Sequence, residues 1–494
     1  MSNECAQTAF AWPEKDGRMY EFVGTFLDPL EGSDNHSTIH EALIEMIRSA
    51  SERIFVASFL IGDERVIEEL LRAAERRRGG VYVITALSLK VLERGLAEYE
   101  VDDSSPEERG KYFRRLTSGG IYVRGHEECH AKFAVFDDSV ALIGSANFVQ
   151  RSFEWSNEIG VVVRDAVQIR QAARLFTELW YEGCTWEIPP GRAYTVAERV
   201  KTEPPTRPGH PGHSENRLVW TNGDCNTFLL DAIQETIAVA KREIIVSSFS
   251  IVNMRENPSL VFEHLQRAIE RGVSVRLLVR QRNAFRSQMA DLLAASDMGI
   301  EIHGDTRNHA KVVISDRQVG VIFSANLDAV HGLTSGGEVG MRLEEPSFLL
   351  HLCRYFDHVI STANTTYNRD PTLVELDKSL SGRWRKQWPF ESQFEIHGPD
   401  AEKFLDEAKS GVCLFEQRSH ELWLYAGDVR ATLQGLSKES GFVGVAQVES
   451  ICESKPAMER LYEWMKSVHG DRKDSFPTRG FCPATISRNS EIGN

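Results

Sequence analysis

Two short stretches of this 494-residue sequence carry the same three chemically active side chains at closely matching spacing. The histidine, lysine and asparagine of the two stretches are His130, Lys132, Asn147 and His309, Lys311, Asn326. Ammonium and amide groups can stabilise the charge that develops on the non-bridging oxygens of a phosphodiester. One imidazole can attack phosphorus and form a covalent phosphohistidine, while the other transfers protons to the leaving oxygen and from the incoming water or alcohol. The two stretches therefore indicate a phosphodiesterase.

The lysines take the place that a metal ion has in many phosphoryl-transfer sites. No cluster of carboxylates with metal-ligand spacing accompanies the two stretches, so we expect no metal and no other cofactor. The eight cysteines are scattered and include no C-x-x-C pair, which fits reduced thiols better than a zinc site.

The spacing inside each stretch predicts how these side chains are presented. Residues two apart on a strand share a face, and each stretch has the pattern of a strand, a turn and a second strand. The pairs expected to share a face are His130 with Lys132, Ser145 with Asn147, His309 with Lys311, and Ser324 with Asn326. Two such units facing each other would converge on one point, so one chain can supply the whole active site.

The stretches belong to a longer internal repeat of alternating helices and strands. Residues 54–59 align with residues 244–249, and each follows an amphipathic helix. Further helices are predicted at 166–181 and near 348–363. This pattern predicts an α/β fold with two repeats, each a mostly parallel or mixed sheet flanked by helices, related by pseudo-two-fold symmetry.

Composition predicts five parts of the chain. They are an N-terminal extension at 1–34, a first repeat domain at 35–200, a Pro- and Gly-rich linker at 201–216, a second repeat domain at 217–370 and a small C-terminal α+β accessory region at 371–494. The accessory region has predicted helices at 400–409 and 458–468 and predicted strands at 421–427 and 441–448.

The spacing H-x-K-x4-D-x6-G-S-x-N resembles the signature of the phospholipase D superfamily, and the resemblance covers roughly residues 35–365. The matching positions are His130, Lys132, Asp137, Gly144, Ser145 and Asn147 in the first copy, and His309, Lys311, Asp316, Ser324 and Asn326 in the second. Phe323 replaces the glycine of the second copy, a departure that would reshape one side of the pocket. The resemblance implies two phospholipase D-like domains and a role for Glu158 and Glu338 in orienting the catalytic histidines. It also favours His130 as the nucleophile, which leaves His309 as the general acid.

Several nearby residues are expected to be structural. Asp137 and Asp316 each stand at a predicted turn, where aspartate is favoured for local hydrogen bonds. The other residues expected to lie outside the chemistry are His126, His303, His331 and Cys129.

Basic residues before each motif suggest a groove that follows a phosphate backbone. The candidate substrate-binding residues are Arg114, Arg115, Arg282 and Arg286. Residues 383–388 interleave charge with tryptophan, which suits either nucleic acid stacking or a lipid surface. The net charge of −15 argues against wholesale coating of nucleic acid or anionic membrane, but it leaves room for a local groove.

The sequence therefore favours a cytoplasmic DNA nuclease, of the kind found in restriction or phage-defence systems. Nucleic acid would be its partner, with a helicase or an ATPase as a further candidate recruited by the accessory region. The cytoplasmic assignment follows from the missing secretion signal and the lack of an apolar stretch of about 18 residues.

Two other functions stay open. A phospholipase D or cardiolipin-synthase-like phosphatidyl transferase would act on membrane phospholipid through the same residues. A catalytically silent nucleic-acid-binding or scaffold protein is the third hypothesis, and intact motifs in both copies count against it.

Overall fold

The structure, a computed structural model, describes most of residues 19–368 and a set of strands beyond them. The described residues are 19–26, 36–76, 80–87, 106–191, 196–199, 217–222, 227–281, 286–329, 332–363, 365–368, 391–396, 414–418, 421–426, 429–434, 436–437, 441–450 and 480–483. The predicted linker at 201–216 and the tryptophan-containing segment at 383–388 lie outside these ranges.

Helices and strands alternate along both repeats. The helices are α1 (Thr38–Ser49), α2 (Glu64–Arg76), α3 (Pro106–Ser118), α4 (Gln150–Glu154), α5 (Ala166–Glu178), α6 (Phe228–Ala238), α7 (Phe262–Glu270), α8 (Arg286–Asp297) and α9 (Pro346–Ser361). The strands up to residue 200 are β1 (Tyr20–Phe26), β2 (His36–Ser37), β3 (Ile54–Ala57), β4 (Val81–Thr85), β5 (Tyr122–Gly125), β6 (Phe133–Phe136), β7 (Val140–Gly144), β8 (Ile159–Val163), β9 (Trp186–Ile188) and β10 (Ala197–Glu198). Those from 217 to 368 are β11 (Leu218–Asn222), β12 (Glu243–Ser248), β13 (Ile251–Val252), β14 (Ser274–Arg280), β15 (Glu301–Asp305), β16 (Val312–Ser315), β17 (Val319–Phe323), β18 (Leu327–Asp328), β19 (Gly337–Leu343) and β20 (Thr365–Asn368). The last strands are β21 (Glu391–Ile396), β22 (Leu414–Arg418), β23 (Glu421–Ala426), β24 (Val429–Gln434), β25 (Leu436–Ser437), β26 (Gly441–Ser450) and β27 (Gly480–Pro483).

The helix pattern of the sequence explains how α1 docks on the sheet. Apolar residues recur at Ile39, Leu43 and Ile47, one face of the helix, and all three are fully buried. Burying a side chain of this size stabilises the fold by about 1.5–3 kcal/mol. The hydroxyl of Ser37 accepts a hydrogen bond from the backbone N–H of His40 and fixes where the helix begins.

The first repeat is built on a ten-stranded mixed sheet with the order β10-β9-β5-β4-β3-β6-β7-β8-β1-β2. β3, β4 and β5 run parallel, because α2 and α3 connect them as crossovers. β6 and β7 form an antiparallel hairpin beside β3 in the centre of the sheet. The first motif therefore lies at the middle of the repeat, where neighbouring strands fix it on both sides.

The second repeat reproduces this arrangement. The run β11-β19-β17-β16-β12 is antiparallel throughout and corresponds to β1-β8-β7-β6-β3 of the first repeat. The parallel pair β13–β18 matches the parallel bridge between Ile61 and Phe148. The predicted α/β fold with two mixed sheets flanked by helices is confirmed.

The chain forms two compact units. The first comprises Met1–Arg276 and Arg307–Ser361, so it contains both motifs, and the second comprises Leu277–Thr306 and Thr362–Asn494. In the second unit, β20 pairs with both β15 and β27, and a separate six-stranded sheet has the order β21-β26-β24-β23-β22 with β25 paired to β26. β23 and β26 lie where the sequence predicts strands, whereas the predicted helices at 400–409 and 458–468 fall outside the described residues.

The helices after the motifs begin close to their predicted positions, but their ends differ. The predicted helix at 166–181 is α5 only as far as Glu178, and a π-helical turn at Leu179–Gly183 follows it. α9 begins at Pro346, because proline fits the first turn of a helix, where its missing N–H is not needed. Within the described ranges, no helix combines the length and apolar character needed to cross a bilayer.

The aspartates of the two motifs fix the loops that lead into β3 and β12. The Asp137 carboxylate accepts the backbone N–H groups of residues 51–53 at 2.8, 2.8 and 2.9 Å, and Asp316 accepts those of residues 241–243 at 2.8, 2.8 and 3.0 Å. Burial alone would raise the pKa of each carboxyl, but these donors outweigh it and hold the pKa below its ordinary value. Both residues have φ of 53°, a conformation that aspartate tolerates in tight turns. These contacts assign both aspartates to the framework of the repeats.

Candidate active site

The two repeats meet through a pair of matching backbone bridges. These short parallel bridges pair Cys129 with Gly337 and Asn157 with Asn308. In each bridge, the residue before a motif histidine lies beside the residue before a glutamate of the other repeat. The backbone N–H groups of His130 and His309 donate across their bridges, at 2.9 and 3.0 Å. Each histidine is thereby placed next to a glutamate that the other repeat supplies.

The motif residues flank the regular strands and do not lie inside them as the sequence predicts. β6 and β16 begin one residue after each motif lysine, and β7 and β17 end one residue before each motif serine. The hairpin ladder still reaches the lysines, since Gly144 and Phe323 each donate a backbone N–H, to Lys132 and Lys311 respectively, at 3.1 Å. Before the lysines, the backbone of each histidine pairs instead with the other repeat, whereas Ser145 and Ser324 donate their backbone N–H groups to β8 and β19 of their own repeats.

Both histidines use the same ring nitrogen to contact a buried carboxylate. His130 Nδ1 lies 2.8 Å from Oε1 of Glu338, and His309 Nδ1 lies 2.7 Å from Oε1 of Glu158. Both glutamate side chains are 0% exposed, so water does not compete for these contacts. An ionised carboxylate can only accept, so the hydrogen bond to Glu338 places a proton on Nδ1 of His130 and leaves Nε2 of a neutral imidazole as the nucleophilic or basic nitrogen.

A serine of each motif holds the glutamate of its own repeat. Ser145 Oγ donates to Oε2 of Glu158 at 2.5 Å, and Ser324 Oγ donates to Oε2 of Glu338. The Ser145 hydroxyl also accepts the backbone N–H of Ile159, and the Ser324 hydroxyl accepts that of Val339. Each serine therefore fixes a carboxylate that serves the histidine of the opposite repeat. The family resemblance implies that the glutamates orient the histidines, and the structure adds that each repeat supplies the glutamate for the histidine of the other.

The two motif lysines are buried and bend back toward their own histidines. Lys132 Nζ donates to the carbonyl of His130 at 2.7 Å, and Lys311 Nζ donates to that of His309 at 3.0 Å. Lys311 Nζ also lies 3.2 and 3.1 Å from the two ring nitrogens of His309. Nearly equal distances to both nitrogens place the ammonium over the face of the ring. Positive charge and an imidazole are thus held together in each repeat, as phosphoryl transfer requires.

Two phenylalanines complete this arrangement, although no motif points to them. Phe59 packs edge-to-face on His130 with ring centroids 5.0 Å apart, and Phe249 packs on His309 at 5.1 Å. Both residues fall in the aligned segments 54–59 and 244–249, so the internal repeat contains the signal that could identify them.

Phe323, the departure from the second motif, is accommodated inside the repeat. Its ring is fully buried, and it pairs across the strands with Gly340. A Cβ atom at Gly340 would lie 3.1 Å from Cβ of Phe323 and 2.8 Å from Leu229 of α6. A glycine at position 340 therefore leaves room for the ring on the face that α6 covers.

The four arginines proposed to bind substrate are not assembled into a groove by the described contacts. Arg115 forms an ion pair with Glu64 at 2.6 Å, and Arg114 donates to the carbonyl of Gly110 in its own helix at 3.2 Å. Arg282 lies outside the described residues, as does the side chain of Arg286. Arg115 thus already has a partner of opposite charge, and a role for these residues stays a prediction.

Of the residues expected to take no part in catalysis, those that the structure describes are buried or contact residues outside the two motifs. Burial raises the pKa of the Cys129 thiol to about 12, so the thiol stays protonated and unreactive. Glu128 donates its backbone N–H to the ring of His126, and His303 contacts Glu301, while His331 is outside the described residues. In the part of the chain that the structure describes, no three His, Cys, Asp or Glu side chains are grouped to hold a metal ion.

Comparison with known proteins assigns both repeats to the same family. The phospholipase D-like domain of cardiolipin synthases matches residues 43–180 and 233–360, more than half of the chain. Cardiolipin synthase B of Salmonella typhimurium strain LT2 is 23% identical over 324 residues, which cover 60% of this chain and 71% of that protein. Cardiolipin synthase 1 of Bacillus cereus is 25% identical over 181 residues, 34% of this chain and only 33% of that relative's length.

The fold is shared with a solved structure of another protein. The phosphatidylserine synthase of Haemophilus influenzae Rd KW20 superposes with a TM-score of 0.51 over 70% of this chain and 87% of that one. At 13% sequence identity, this likeness concerns the architecture alone.

Proposed function

The chain belongs to the phospholipase D superfamily as a phosphodiesterase-type enzyme, and from this premise we propose that it is a phosphatidyl transferase acting on membrane phospholipid. The observation that carries the chemistry is the reciprocal arrangement of two complete Ser–Glu–His sets within one compact unit. The choice of lipid is supported by the cardiolipin synthases, one of which matches this chain across 324 residues.

The proposed reaction has two symmetric halves. Nε2 of His130 attacks phosphorus, the bond to the leaving alcohol oxygen breaks, and His309 in its imidazolium form gives that oxygen the proton from Nε2 and becomes neutral. His309 then takes the proton of an incoming alcohol, whose oxygen attacks phosphorus and breaks the bond to His130. Water in place of the alcohol would give hydrolysis, so the acceptor decides between transferase and phospholipase D activity.

The buried cations and amides stabilise the negative charge in both halves. Lys132 and Lys311 are 1% and 0% exposed, and charge in a water-poor site acts more strongly than at the surface. Their ammonium groups stay near the imidazoles through the carbonyls of the two histidines. The motif asparagines stand two residues after the serines and would supply N–H donors to the same oxygens.

The DNA nuclease that the sequence favours has less support than the lipid enzyme. Its support from the sequence includes a basic groove, and Arg115, one of the four residues of that groove, forms an ion pair with Glu64. The matched relatives named here are lipid synthases. The silent scaffold has still less support, because both histidines keep their carboxylate and their lysine.

A parallel substrate assay tests this proposal. Phosphatidylglycerol vesicles, and single- and double-stranded DNA at low salt, would be incubated with the enzyme in EDTA and the products identified by mass spectrometry and gel electrophoresis. We expect cardiolipin with released glycerol, or phosphatidic acid if water is the acceptor, and no product with a His130→Ala, His309→Ala double variant. DNA cleavage without any lipid product would overturn the proposal, and turnover restored only by added divalent metal would overturn the metal-free mechanism.

A further inference from the structure

A serine–phenylalanine pair occurs at the same place in both repeats, outside the superfamily motif. Ser58-Phe59 follows β3, and Ser248-Phe249 ends and follows β12. β3 pairs antiparallel with β6, and β12 with β16, so the carboxyl end of each strand lies beside the beginning of a motif strand. This register is what brings the two pairs to the histidines and lysines.

Each serine fixes the backbone next to a motif asparagine. Ser58 Oγ accepts the N–H of Phe148 at 3.1 Å, and Ser248 Oγ accepts the N–H of Leu327 at 3.0 Å. Each hydroxyl also donates to the backbone carbonyl two residues later, that of Leu60 or Ser250, at 2.6 Å in both repeats. Phe148 and Leu327 directly follow the asparagines. Both serines are fully buried, so no water replaces these bonds.

Each phenylalanine contacts both charged partners of its motif. The interplanar angle to the imidazole is 60° for Phe59 and 74° for Phe249, an edge-to-face geometry. The ammonium groups of Lys132 and Lys311 lie 5.6 and 5.7 Å from the same two ring centroids. A cation at that distance is attracted by the negative face of an aromatic ring.

We propose that Ser58-Phe59 and Ser248-Phe249 are positioning residues for phosphoryl transfer. The glutamate of the opposite repeat contacts Nδ1 of each imidazole, and the phenylalanine packs edge-to-face with the same ring. Together these two contacts set the direction of Nε2, while the phenylalanine ring attracts the ammonium. The serine holds the backbone next to the motif asparagine in a fixed position relative to the imidazole and the ammonium. This inference depends on the phosphodiesterase chemistry proposed above but not on the choice of lipid.

Steady-state kinetics with a soluble diester, bis(4-nitrophenyl) phosphate, test the proposal independently of lipid binding. We expect Phe59→Leu and Phe249→Leu each to lower kcat by about 10–100-fold, since misplacement of about 1 Å can cost 100-fold. KM should change less than about threefold, and Phe→Tyr at either position should restore most of the kcat, because the aromatic ring is kept. Ser58→Ala should lower kcat about tenfold through the same loss of placement.

Phe55→Leu is the matched control. Phe55 lies four residues earlier, in β3, and stacks on Phe176 of α5 at 4.5 Å, away from either motif histidine. This variant should lower Tm about as much as Phe59→Leu while leaving kcat within about twofold of the parent, since both half-buried rings make aromatic contacts that support stability. Equal kcat values for Phe55→Leu and the two site variants would overturn the positioning role, and so would folded tyrosine variants as inactive as the leucine variants.

Binding of orthovanadate, measured by calorimetry, separates this inference from the proposed function. If the parent enzyme cleaves the diester but makes no lipid product, only the assignment of a lipid substrate is contradicted. If the parent cleaves neither, vanadate affinity still reports whether the site can hold a five-coordinate anion. At least tenfold weaker binding to Phe59→Leu, with unchanged binding to Phe55→Leu, is the expected result, and equal affinities would count against the inference.

Discussion

The two repeats of the first unit carry the same reacting side chains but surround them differently. The side chain of His130 is 13% exposed and Phe59 beside it is half-buried, whereas His309 is 6% exposed and Phe249 is buried. Counting back from the two glutamates, the exposed Trp155 takes the position of Ser335. Reciprocal contacts constrain the serine, glutamate and histidine of both repeats, because each half depends on the other. Residues outside these contacts, such as Trp155 and Ser335, differ between the repeats. We therefore expect the differences between the halves to affect access and specificity more than the chemistry.

The largest expected effect comes from removing either histidine. His130→Ala and His309→Ala should each lower turnover by about 100–10,000-fold or more, since the nucleophile and the general acid are both required. The comparison is sharpened by His309→Gln, in which the covalent adduct should accumulate on His130, the more exposed residue, and be visible in intact-mass spectra. Peptide mapping that finds the adduct on His309 in the parent enzyme would reverse the roles of the two repeats.

A smaller effect should follow from the reciprocal glutamates. Glu338→Gln and Glu158→Gln should lower kcat by about 10–1,000-fold, because loss of the carboxylate partner disturbs tautomer and orientation. The pairing of each histidine with the glutamate of the other repeat can be measured by ¹⁵N-histidine NMR. Glu338→Gln should shift the Nδ1 resonance of His130 and leave that of His309 unchanged, and Glu158→Gln should do the reverse. Glu154→Gln is the control, an exposed carboxylate that contacts Gln150. Shifts confined to the histidine of the same repeat would break the model of exchanged partners.

The smallest expected effect is on stability, at the aspartates that the two repeats use alike. Asp137→Asn and Asp316→Asn should each lower the free energy of unfolding by about 1 kcal/mol and leave kcat unchanged, because a charged acceptor of three N–H groups becomes neutral. The folded-state pKa is depressed at both, so their contribution is present above the unfolded value of about 3.9 and is lost as pH falls through the folded value. Denaturant titrations at pH 7 and below pH 3 measure this. A gap between parent and variant that does not narrow at low pH would contradict the assignment.

The sequence was a reliable guide wherever the signal was local. Alternation of helices and strands gave the α/β class, and α9 at Pro346–Ser361 lies close to the predicted 348–363. The motif spacing identified the side chains that now lie together at the bridges between repeats. The partners of the basic residues are not predictable from the sequence, because charge along a chain does not show which residues fold against it. Arg115 meets Glu64 from 51 residues away, and the basic groove stays a prediction.

The amino-acid sequence alone determined the reacting groups, their duplication and the elements that carry them, since periodicity and turn chemistry act over a few residues. Only the tertiary structure decided which glutamate serves which histidine: His130 contacts Glu338, 208 residues further on, although Glu158 is much nearer in the chain. It also brought Phe59 and Phe249 to the imidazoles, through strand pairing that no local pattern specifies. The glutamate–histidine contacts form only when the two sheets meet, so those partners are set by packing between the repeats. The phenylalanine contacts are set by strand pairing inside each repeat.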